Sequence, residues 1–233
     1  MTGTLTTSSI GREILDDPAA NPSHVRRMLT DIARSNRLFG GVRSLHHGLR
    51  RLLPFGGGNA ITTLLDVGTG AGDLPRAATR WGIRHRRPIQ AFGLERHAAA
   101  AQLATELGTP TVVGCGGALP LADQTVDLVL LSQLLHHLDD ASTVTLLTEA
   151  ARVARVGVIV LDLRPSRLAA TAFQLVGPLL RFDPDTTSDG IVSLARGRTA
   201  PALAALARLA GARAPRAEHL AMARVVMTWR VAH

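Results

Sequence analysis

The residues best suited to carry chemistry follow a short apolar run, Leu64 to Val67. Asp66 is followed by a glycine at every second position, at Gly68, Gly70 and Gly72, and then by Asp73. Glycines let the backbone turn sharply and approach a ligand closely, and a helix that starts after such a turn presents free amide donors. The pattern predicts a site for a nucleotide-like cofactor. The alternative interpretation is a tight strand-to-helix turn without a ligand.

The acid after the glycines argues against a dinucleotide. The dinucleotide fingerprint places a third glycine where this chain has Asp73, and that carboxylate would repel a pyrophosphate. The acid-x-Gly-x-Gly-x-Gly spacing instead resembles motif I of the class I S-adenosylmethionine-dependent methyltransferases. The resemblance implies S-adenosylmethionine as cofactor, bound by motif I residues Asp66, Gly68, Thr69, Gly70 and Gly72.

A second acid, Glu95, ends the next predicted strand, with Arg96 beside it. A carboxylate at this point can accept hydrogen bonds from both ribose hydroxyls of an adenosine group. We therefore expect both residues in the cofactor site. The alternative is that Glu95 only caps the helix predicted from 97 to 107.

The third predicted strand leads into residues 113–123, followed by 126–129. These segments look like signatures of small-molecule methyltransferases related to the quinone C-methyltransferases. Cys115 stands where that family usually has an aspartate that binds the adenine amino group. The resemblance thus implies adenine recognition by backbone groups near Cys115 and Gly116. We expect the Cys115 side chain to be a buried small hydrophobic group rather than a reactive nucleophile.

The segment after the fourth predicted strand should face the transferred methyl group. Ser132 and Gln133 are expected to contact the cofactor. The next residues resemble the His-x-aromatic-x-Asp pattern of phenolic O-methyltransferases, with Leu138 in place of the aromatic residue. The resemblance implies His136 as general base and Asp140 as the accompanying acid, with His137 as a further catalytic candidate. The alternative is that the histidines only pack or cap.

Three other segments supply candidate acceptor contacts. The turn between two predicted N-terminal helices holds Asn36, Arg37 and Phe39, and it is either a lid or a simple connection. Asp162 and Arg164 follow the fifth strand, where they either orient an acceptor or form a salt bridge. Phe173 belongs to a predicted helix, 168–180, that is apolar on nearly every side and forms a pocket wall or an oligomer interface.

The elements that position these residues alternate between strand and helix. Five apolar runs, 61–67, 89–94, 110–114, 126–131 and 156–163, predict a parallel sheet with helices on both faces. A helix capped by Thr199 and two final strands match the methyltransferase family, which implies a Rossmann-like, seven-stranded, mostly parallel sheet. We predict a helical extension at 1–58, ending in a glycine-rich linker, and a core at 59–233, with a polar loop at 182–189.

Composition narrows the functional classes further. The 233 residues carry a net charge of +8 that comes from arginine alone, and the absence of lysine excludes a P-loop lysine and a Schiff base. One cysteine cannot form an internal disulfide or a multi-cysteine metal site, so no metal is expected. Scattered arginines with few aromatic residues make nucleic-acid binding an unfavoured prediction. Without an apolar run of membrane-span length or a signal peptide, we expect a cytoplasmic protein.

The sequence therefore predicts methyl transfer from S-adenosylmethionine to a small acceptor, aromatic, phenolic or polyketide-like, as in secondary metabolism. O-methylation with His136 as base is favoured. C-methylation of a quinone-like ring, a different reaction on the same scaffold, and a binding-only role remain alternatives, and RNA methylation would need a basic groove with stacking groups. The protein could form a homodimer.

Overall fold

A computed structural model describes residues 13–17, 19–53 and 60–231. The described chain forms one sheet from seven strands, in the chain order β1 Thr62–Val67, β2 Ile89–Glu95, β3 Thr111–Val113, β4 Val126–Ser132, β5 Ala154–Leu163, β6 Arg216–Leu220 and β7 Arg224–Arg230. The predicted strands are all present, with ends that differ by a few residues.

The sheet order is β3-β2-β1-β4-β5-β7-β6. The first five strands pair in parallel, whereas β7 runs antiparallel to both β5 and β6. The predicted Rossmann-like, mostly parallel sheet with an antiparallel edge is therefore confirmed. Parallel strands align their carboxyl ends, so the segments after β1, β2, β4 and β5 meet at one edge of the sheet.

Eight α-helices surround the sheet: α1 Pro22–Leu38, α2 Gly41–Leu52, α3 Asp73–Arg84, α4 Ala98–Glu106, α5 Asp140–Val153, α6 Arg167–Leu179, α7 Pro184–Arg196 and α8 Ala200–Leu209. Two short 3-10 turns, Ile14–Asp16 and Leu135–His137, precede α1 and α5. Within the described ranges, no helix combines the length and the apolar character needed to cross a membrane.

The core lies on both faces of the sheet. On one face, apolar residues of α2 and α3 pack against β1, β4 and β5, and this cluster includes Leu45, Leu49, Leu64, Trp81, Leu128 and Ile159. On the other face, α5 and α8 cover Val129, Leu131, Val158 and Val160. The second N-terminal helix is thus packed into the sheet core. The predicted linker falls mostly on residues 54–59, outside the described residues.

The prediction of a polar loop at 182–189 is wrong, because α7 begins at Pro184. Asp183 caps this helix, since its Oδ1 accepts a hydrogen bond from the Asp185 N–H at 3.0 Å. An aspartate followed by proline is a helix-start signal, and the polar residues here form the first turn.

Helix α6 differs from the predicted helix that is buried all round. Phe173 and Val176 line a cavity, as predicted for a pocket wall. Leu168 and Leu179 on other parts of the helix surface are about four-fifths exposed. Only one side of this helix therefore faces the protein.

Candidate functional site

A cavity of about 760 Å³ opens at the carboxyl ends of β1, β2, β4 and β5. Its polar side includes Asp66, Glu95 and His136. Its apolar side comes from α1 and α6, and includes Met28, Leu29, Ile32, Phe39, Ala172, Phe173 and Val176. Ligand sites in open α/β sheets lie in this position.

The glycine-rich loop adopts the predicted sharp turn. Gly68, Gly70 and Gly72 all have positive φ, at +73°, +54° and +69°. At Gly72 the turn also brings the chain against Thr109, whose Oγ1 would lie 2.5 Å from an added Cβ. Gly72 caps α3, and Asp73, which the sequence favours as the cap, is instead the first helical residue. Only glycine satisfies both the backbone angle and the close approach here.

Two carboxylates flank the loop. Asp66 is buried, and its Oδ2 accepts a hydrogen bond from Thr69 Oγ1 at 2.9 Å, while its Oδ1 has no partner among the described residues. Burial raises the pKa of Asp66 well above its usual range. Glu95 Oε2 accepts from Gly70 N–H and its Oε1 from His97 N–H, both at 3.0 Å. Glu95 therefore lines the cavity, and it also binds the N–H of His97, the residue before α4, so its position fits both interpretations.

These groups fit the cofactor that the sequence resemblance implies. The unpartnered Asp66 Oδ1 offers an acceptor for an ammonium group, and Glu95 lies beside the loop with acceptor oxygens for ribose hydroxyls. Both carboxylates and the glycine backbone would hold S-adenosylmethionine from one side of the cavity. We propose this assignment of the cofactor-binding residues.

Cys115 and Gly116 line the cavity beyond β3. The Cys115 side chain is exposed, so the expectation of a buried hydrophobic group is wrong. The reason is that β3 is a three-residue edge strand, and the chain after it runs along the rim of the cavity. The thiol is therefore accessible from the place where an adenine ring is expected.

The end of β4 is tied to the N-terminal helices through polar contacts. Ser132 and Gln133 line the cavity, and Gln133 Nε2 donates to Asn36 Oδ1 at 2.8 Å. Asn36 Nδ2 donates in turn to Asp73 Oδ2 at 3.1 Å, and both of these side chains are buried. Asn36 lies in the last turn of helix α1, as does Arg37, and not in the predicted connection between two helices. The end of α1 thus closes over the glycine-rich loop.

His136 lies at the bottom of the site with 2% of its surface exposed. Its Nδ1 is 2.6 Å from Asp162 Oδ1, and its backbone N–H donates to Asp162 Oδ2 at 3.2 Å. Burial acts to raise the pKa of Asp162, but the charge and hydrogen bond of His136 hold it below its usual range. An ionised Asp162 accepts a hydrogen bond from Nδ1–H, which leaves the lone pair of the imidazole on Nε2. Nε2 has no hydrogen-bond partner among the described residues.

A polar cluster that the sequence did not predict faces the two histidines. Glu13 Oε1 lies 3.8 Å from His136 Nε2, and Glu13 Oε2 lies 3.7 Å from His137 Nε2. Ser193 Oγ and Arg196 Nη1 both donate to Glu13 Oε1, at 3.0 and 3.1 Å. The segment before α1 is therefore fastened to α7 across the mouth of the cavity.

Asp16 also links the segment before α1 to α7 and to His137. Its Oδ1 lies 2.8 Å from His137 Nδ1, and its Oδ2 accepts from Arg196 Nη1 at 3.1 Å. Burial acts to raise the pKa of Asp16, but hydrogen bonding and charge from His137, with Arg196, lower it below its usual range. Arg96 Nη2 donates to the Asp16 carbonyl at 3.0 Å. Arg96 and His137 therefore hold the N-terminal segment rather than pointing freely into the cavity.

Replacing Glu13 with glutamine should reduce the pH dependence of stability between pH 5 and 7.5. Burial raises the pKa of Glu13 to about 7, while His137, Ser193 and Arg196 act to lower it. A carboxyl group whose pKa is higher in the folded than in the unfolded protein stabilises the folded state. This stabilisation is fully present below pH 4.5, the pKa in the unfolded protein, and is lost as pH rises through 7. The contribution is up to about 3 kcal/mol.

Thermal unfolding of both proteins across this pH range measures the effect. Glu13→Gln should gain stability relative to the native chain as pH rises, by several degrees in Tm. Glu106→Gln is the matched control, because Glu106 is exposed and its pKa is lowered by the hydrogen bond from Arg26. A stability difference between Glu13→Gln and the native chain that is constant with pH would contradict the prediction.

Five predicted site residues are not part of the cavity lining: Arg37, Gly72, Asp140, Asp162 and Arg164. Asp140 is the first residue of α5, 73% exposed, and it pairs with Arg198 at 2.9 Å. Arg37 is exposed on α1. Arg164 lies behind the wall, and its buried Nε has no partner among the described residues. Asp162 also lies behind the lining, where it contacts His136 instead of an acceptor.

Phe39 and Phe173 do lie together on the cavity wall, with ring centroids 5.8 Å apart in an edge-to-face arrangement. Sequence reasoning missed Glu13, Asp16, Arg196 and Arg224 as lining or supporting groups. A spacing signal could not have revealed them, because the Glu13–Arg196 contact joins positions 183 residues apart.

Comparison with known proteins agrees with this architecture. Residues 65–161 match a family model described as a methyltransferase domain. A relative named an uncharacterized methyltransferase, from Mycolicibacterium vanbaalenii, is 39% identical over 102 residues, which are 44% of this chain and 38% of the relative. Another of that name, from Mycolicibacterium paratuberculosis, is 41% identical over 75 residues, 32% of this chain and 29% of the relative. The matched regions span about a third of these curated relatives.

Solved structures show the same fold. A methyltransferase from Aquifex aeolicus, described as SAM-dependent, superimposes with a TM-score of 0.60 at 18% identity, covering 91% of this chain and 99% of that chain. Human N-acetylserotonin methyltransferase in complex with SAM gives a TM-score of 0.65 at 15% identity, covering 91% of this chain and 57% of that chain. Residues 65–161 therefore form a methyltransferase domain, and the described chain has the fold of the class I S-adenosylmethionine-dependent methyltransferases.

Proposed function

We propose that the protein methylates an oxygen of a small, largely apolar acceptor, with His136 as the general base. The observation that carries the proposal is the buried pair of His136 and Asp162 at the bottom of the cavity. Asp162 fixes the imidazole with its Nδ1–H toward the carboxylate. Nε2 is therefore the atom available to accept a proton from the acceptor hydroxyl.

The position of this pair supports the assignment. When bound, S-adenosylmethionine supplies an electrophilic methyl group on a sulfonium. The glycine-rich loop and the segment containing His136 follow adjacent strands, β1 and β4, and both line the same cavity. His136 can therefore remove the hydroxyl proton while the walls orient the oxygen, which makes the oxygen a better nucleophile.

The other wall indicates what kind of acceptor fits. Phe39, Phe173 and Val176 present apolar surface to the cavity, and aromatic rings pack well against a planar acceptor. The end of α1 at Asn36 and the N-terminal segment with Glu13 and Asp16 cover the site. Such a covered, apolar cavity favours a small aromatic or polyketide-like molecule over a nucleic acid.

Two measurements test the proposal. Calorimetry with S-adenosylmethionine and S-adenosylhomocysteine should show binding of both, and absence of binding by either would refute methyl transfer. Incubation with methyl-labelled S-adenosylmethionine and a small-molecule cell extract should then yield a labelled methyl ether. A product labelled on carbon would refute O-methylation and favour the alternative reaction on a ring carbon.

A further inference from the structure

Arg224 is a buried cation on the cavity wall without a carboxylate partner among the described residues. It begins β7, lines the cavity and is 4% exposed. Its Nε donates to the Phe39 carbonyl at 3.0 Å. Within the described ranges, neither Nη group has a hydrogen-bond acceptor. Buried Nη donors without an acceptor are costly, so this arrangement indicates that a ligand completes it.

The guanidinium is held firmly in place. The bond to the Phe39 carbonyl anchors one edge, and the Arg224 stem passes Gly40, where an added Cβ would lie 3.9 Å from Cγ. Burial lowers the pKa of Arg224 to about 10, with Asp162 and Asp73 acting in the opposite direction. The side chain therefore remains cationic at neutral pH. Its free Nη donors form a rigid fork of the kind that binds carboxylates.

Its place in the sheet separates Arg224 from the proposed cofactor site. Arg224 pairs with Leu163 at the end of β5, next to the Asp162 that holds His136. Strands β4 and β5 lie between β1 and β7 in the sheet order. Three strand spacings put the backbones of β1 and β7 roughly 14 Å apart. The charge of Asp73 still acts on the Arg224 guanidinium, so the cofactor is the ligand that competes with the acceptor for this group.

We propose that Arg224 binds an anionic oxygen of the acceptor, which makes the acceptor an amphipathic acid with an apolar body. The inference rests on the proposed function, since the acceptor is the molecule that His136 deprotonates. The apolar body would lie against Phe39, Phe173 and Met222, which line the same cavity. A carboxylate or an enolate oxygen supplies the acceptor that the Nη donors lack.

A matched pair of fluorescent dyes tests this preference without any knowledge of the acceptor. 8-Anilinonaphthalene-1-sulfonate and N-phenyl-1-naphthylamine share one aromatic body, and only the first carries an anionic group. Arg224→Met should weaken binding of the sulfonate dye at least ~10-fold, as expected for loss of a charge-assisted hydrogen bond in a buried site. Binding of the neutral dye should change less than about twofold, because methionine keeps the apolar stem.

Controls separate the possible outcomes. Arg213→Met removes an exposed arginine and should leave both affinities unchanged. If Arg224→Met does not fold, Arg224→Lys replaces the fork with a point charge and should weaken only the sulfonate dye, by several fold. Equal effects on both dyes would overturn the proposal.

The cofactor carboxylate is the competing source of negative charge. A ~10-fold loss of S-adenosylhomocysteine affinity in Arg224→Met, measured by calorimetry, would assign the guanidinium to the cofactor and overturn the proposal. Unchanged affinity supports it. The dye comparison uses neither cofactor nor acceptor, so failure of the native chain to bind S-adenosylhomocysteine would refute the proposed function separately.

Discussion

His136→Asn is expected to lower methyl transfer by about 10²- to 10⁴-fold, the range typical for loss of a general base. Asparagine occupies less volume and can still contact Asp162, but it cannot accept the acceptor proton at neutral pH. The affinity for S-adenosylhomocysteine should stay within about twofold, because the proposed cofactor contacts come from Asp66, Glu95 and the glycine-rich loop rather than from His136. The measurement is kcat with the small molecule that the extract screen labels, together with calorimetry.

Two further variants test whether the loss of activity is specific to the pair of His136 and Asp162. Asp162→Asn should lower kcat with little change in KM, because Asp162 touches His136 and does not line the cavity. His47→Asn is the matched histidine control, since His47 pairs with Glu218 outside the cavity lining. Full turnover in His136→Asn would contradict the assignment and favour catalysis by proximity alone.

A metal ion is the other way in which His136 could act. Glu13, His136 and His137 each offer a ligand atom, and these atoms lie within 4.8 Å of one another. However, Arg196 and Ser193 already donate to Glu13 Oε1, so a cation there would compete with a buried guanidinium. Turnover that persists after treatment with a chelator would assign His136 to proton transfer, and loss that added metal restores would assign it to metal binding.

The sequence was informative where a function depends on residues close together in the chain. Motif I needs one strand, three glycines and one helix start, and the structure gives all three glycines the positive φ that the spacing predicts. The position of Glu95 could also be predicted, because the second parallel strand of such a fold ends beside the first. Local turn chemistry and strand order sufficed for this half of the site.

The other half depends on contacts between distant parts of the chain. Glu13 meets Arg196 and Ser193 only because α7 packs near the start of the chain. Arg224 has no local motif, and its significance comes from burial and from the carbonyl of Phe39, 185 residues earlier. The prediction for Asp140 failed for the opposite reason: a local sequence pattern pointed to a catalytic residue, but the fold places the side chain elsewhere. Its spacing from His136 fits a family pattern, but the 3-10 turn at 135–137 and the start of α5 direct it toward Arg198 at the surface.

The residues that cover the cavity contact both the glycine-rich loop, which local sequence predicted, and the polar cluster at His137, which depends on distant contacts. Asn36 bridges Asp73 of the glycine-rich loop and Gln133 at the end of β4, while the segment with Glu13 and Asp16 is fastened to His137 and Arg196. Both sets of contacts that cover the cavity therefore involve residues next to the proposed cofactor loop and the proposed base, His136. The raised pKa of Glu13 makes the contact between the N-terminal segment and α7 sensitive to pH near 7.

Glu95→Gln is expected to weaken S-adenosylhomocysteine binding at least ~10-fold, with little change in the far-ultraviolet circular dichroism. The carboxylate faces the cavity, and its two oxygens already orient Gly70 N–H and His97 N–H. Glutamine replaces one acceptor oxygen with an NH₂ donor, so it must lose either the loop contact or a ribose contact. Each hydrogen bond to a charged group contributes about 1.5–3 kcal/mol.

Calorimetric titration with S-adenosylhomocysteine measures this loss, and Glu106→Gln provides the matched change at an exposed position on α4. A combined comparison with Cys115→Asp makes the test sharper. Aspartate at the exposed rim position adds an acceptor for the adenine amino group, and its introduction should tighten binding several fold. Weakening by Glu95→Gln together with tightening by Cys115→Asp would place the adenosine along the carboxyl ends of β2 and β3. Unchanged affinity in Glu95→Gln would mean that the carboxylate serves only to hold the loop and the start of α4.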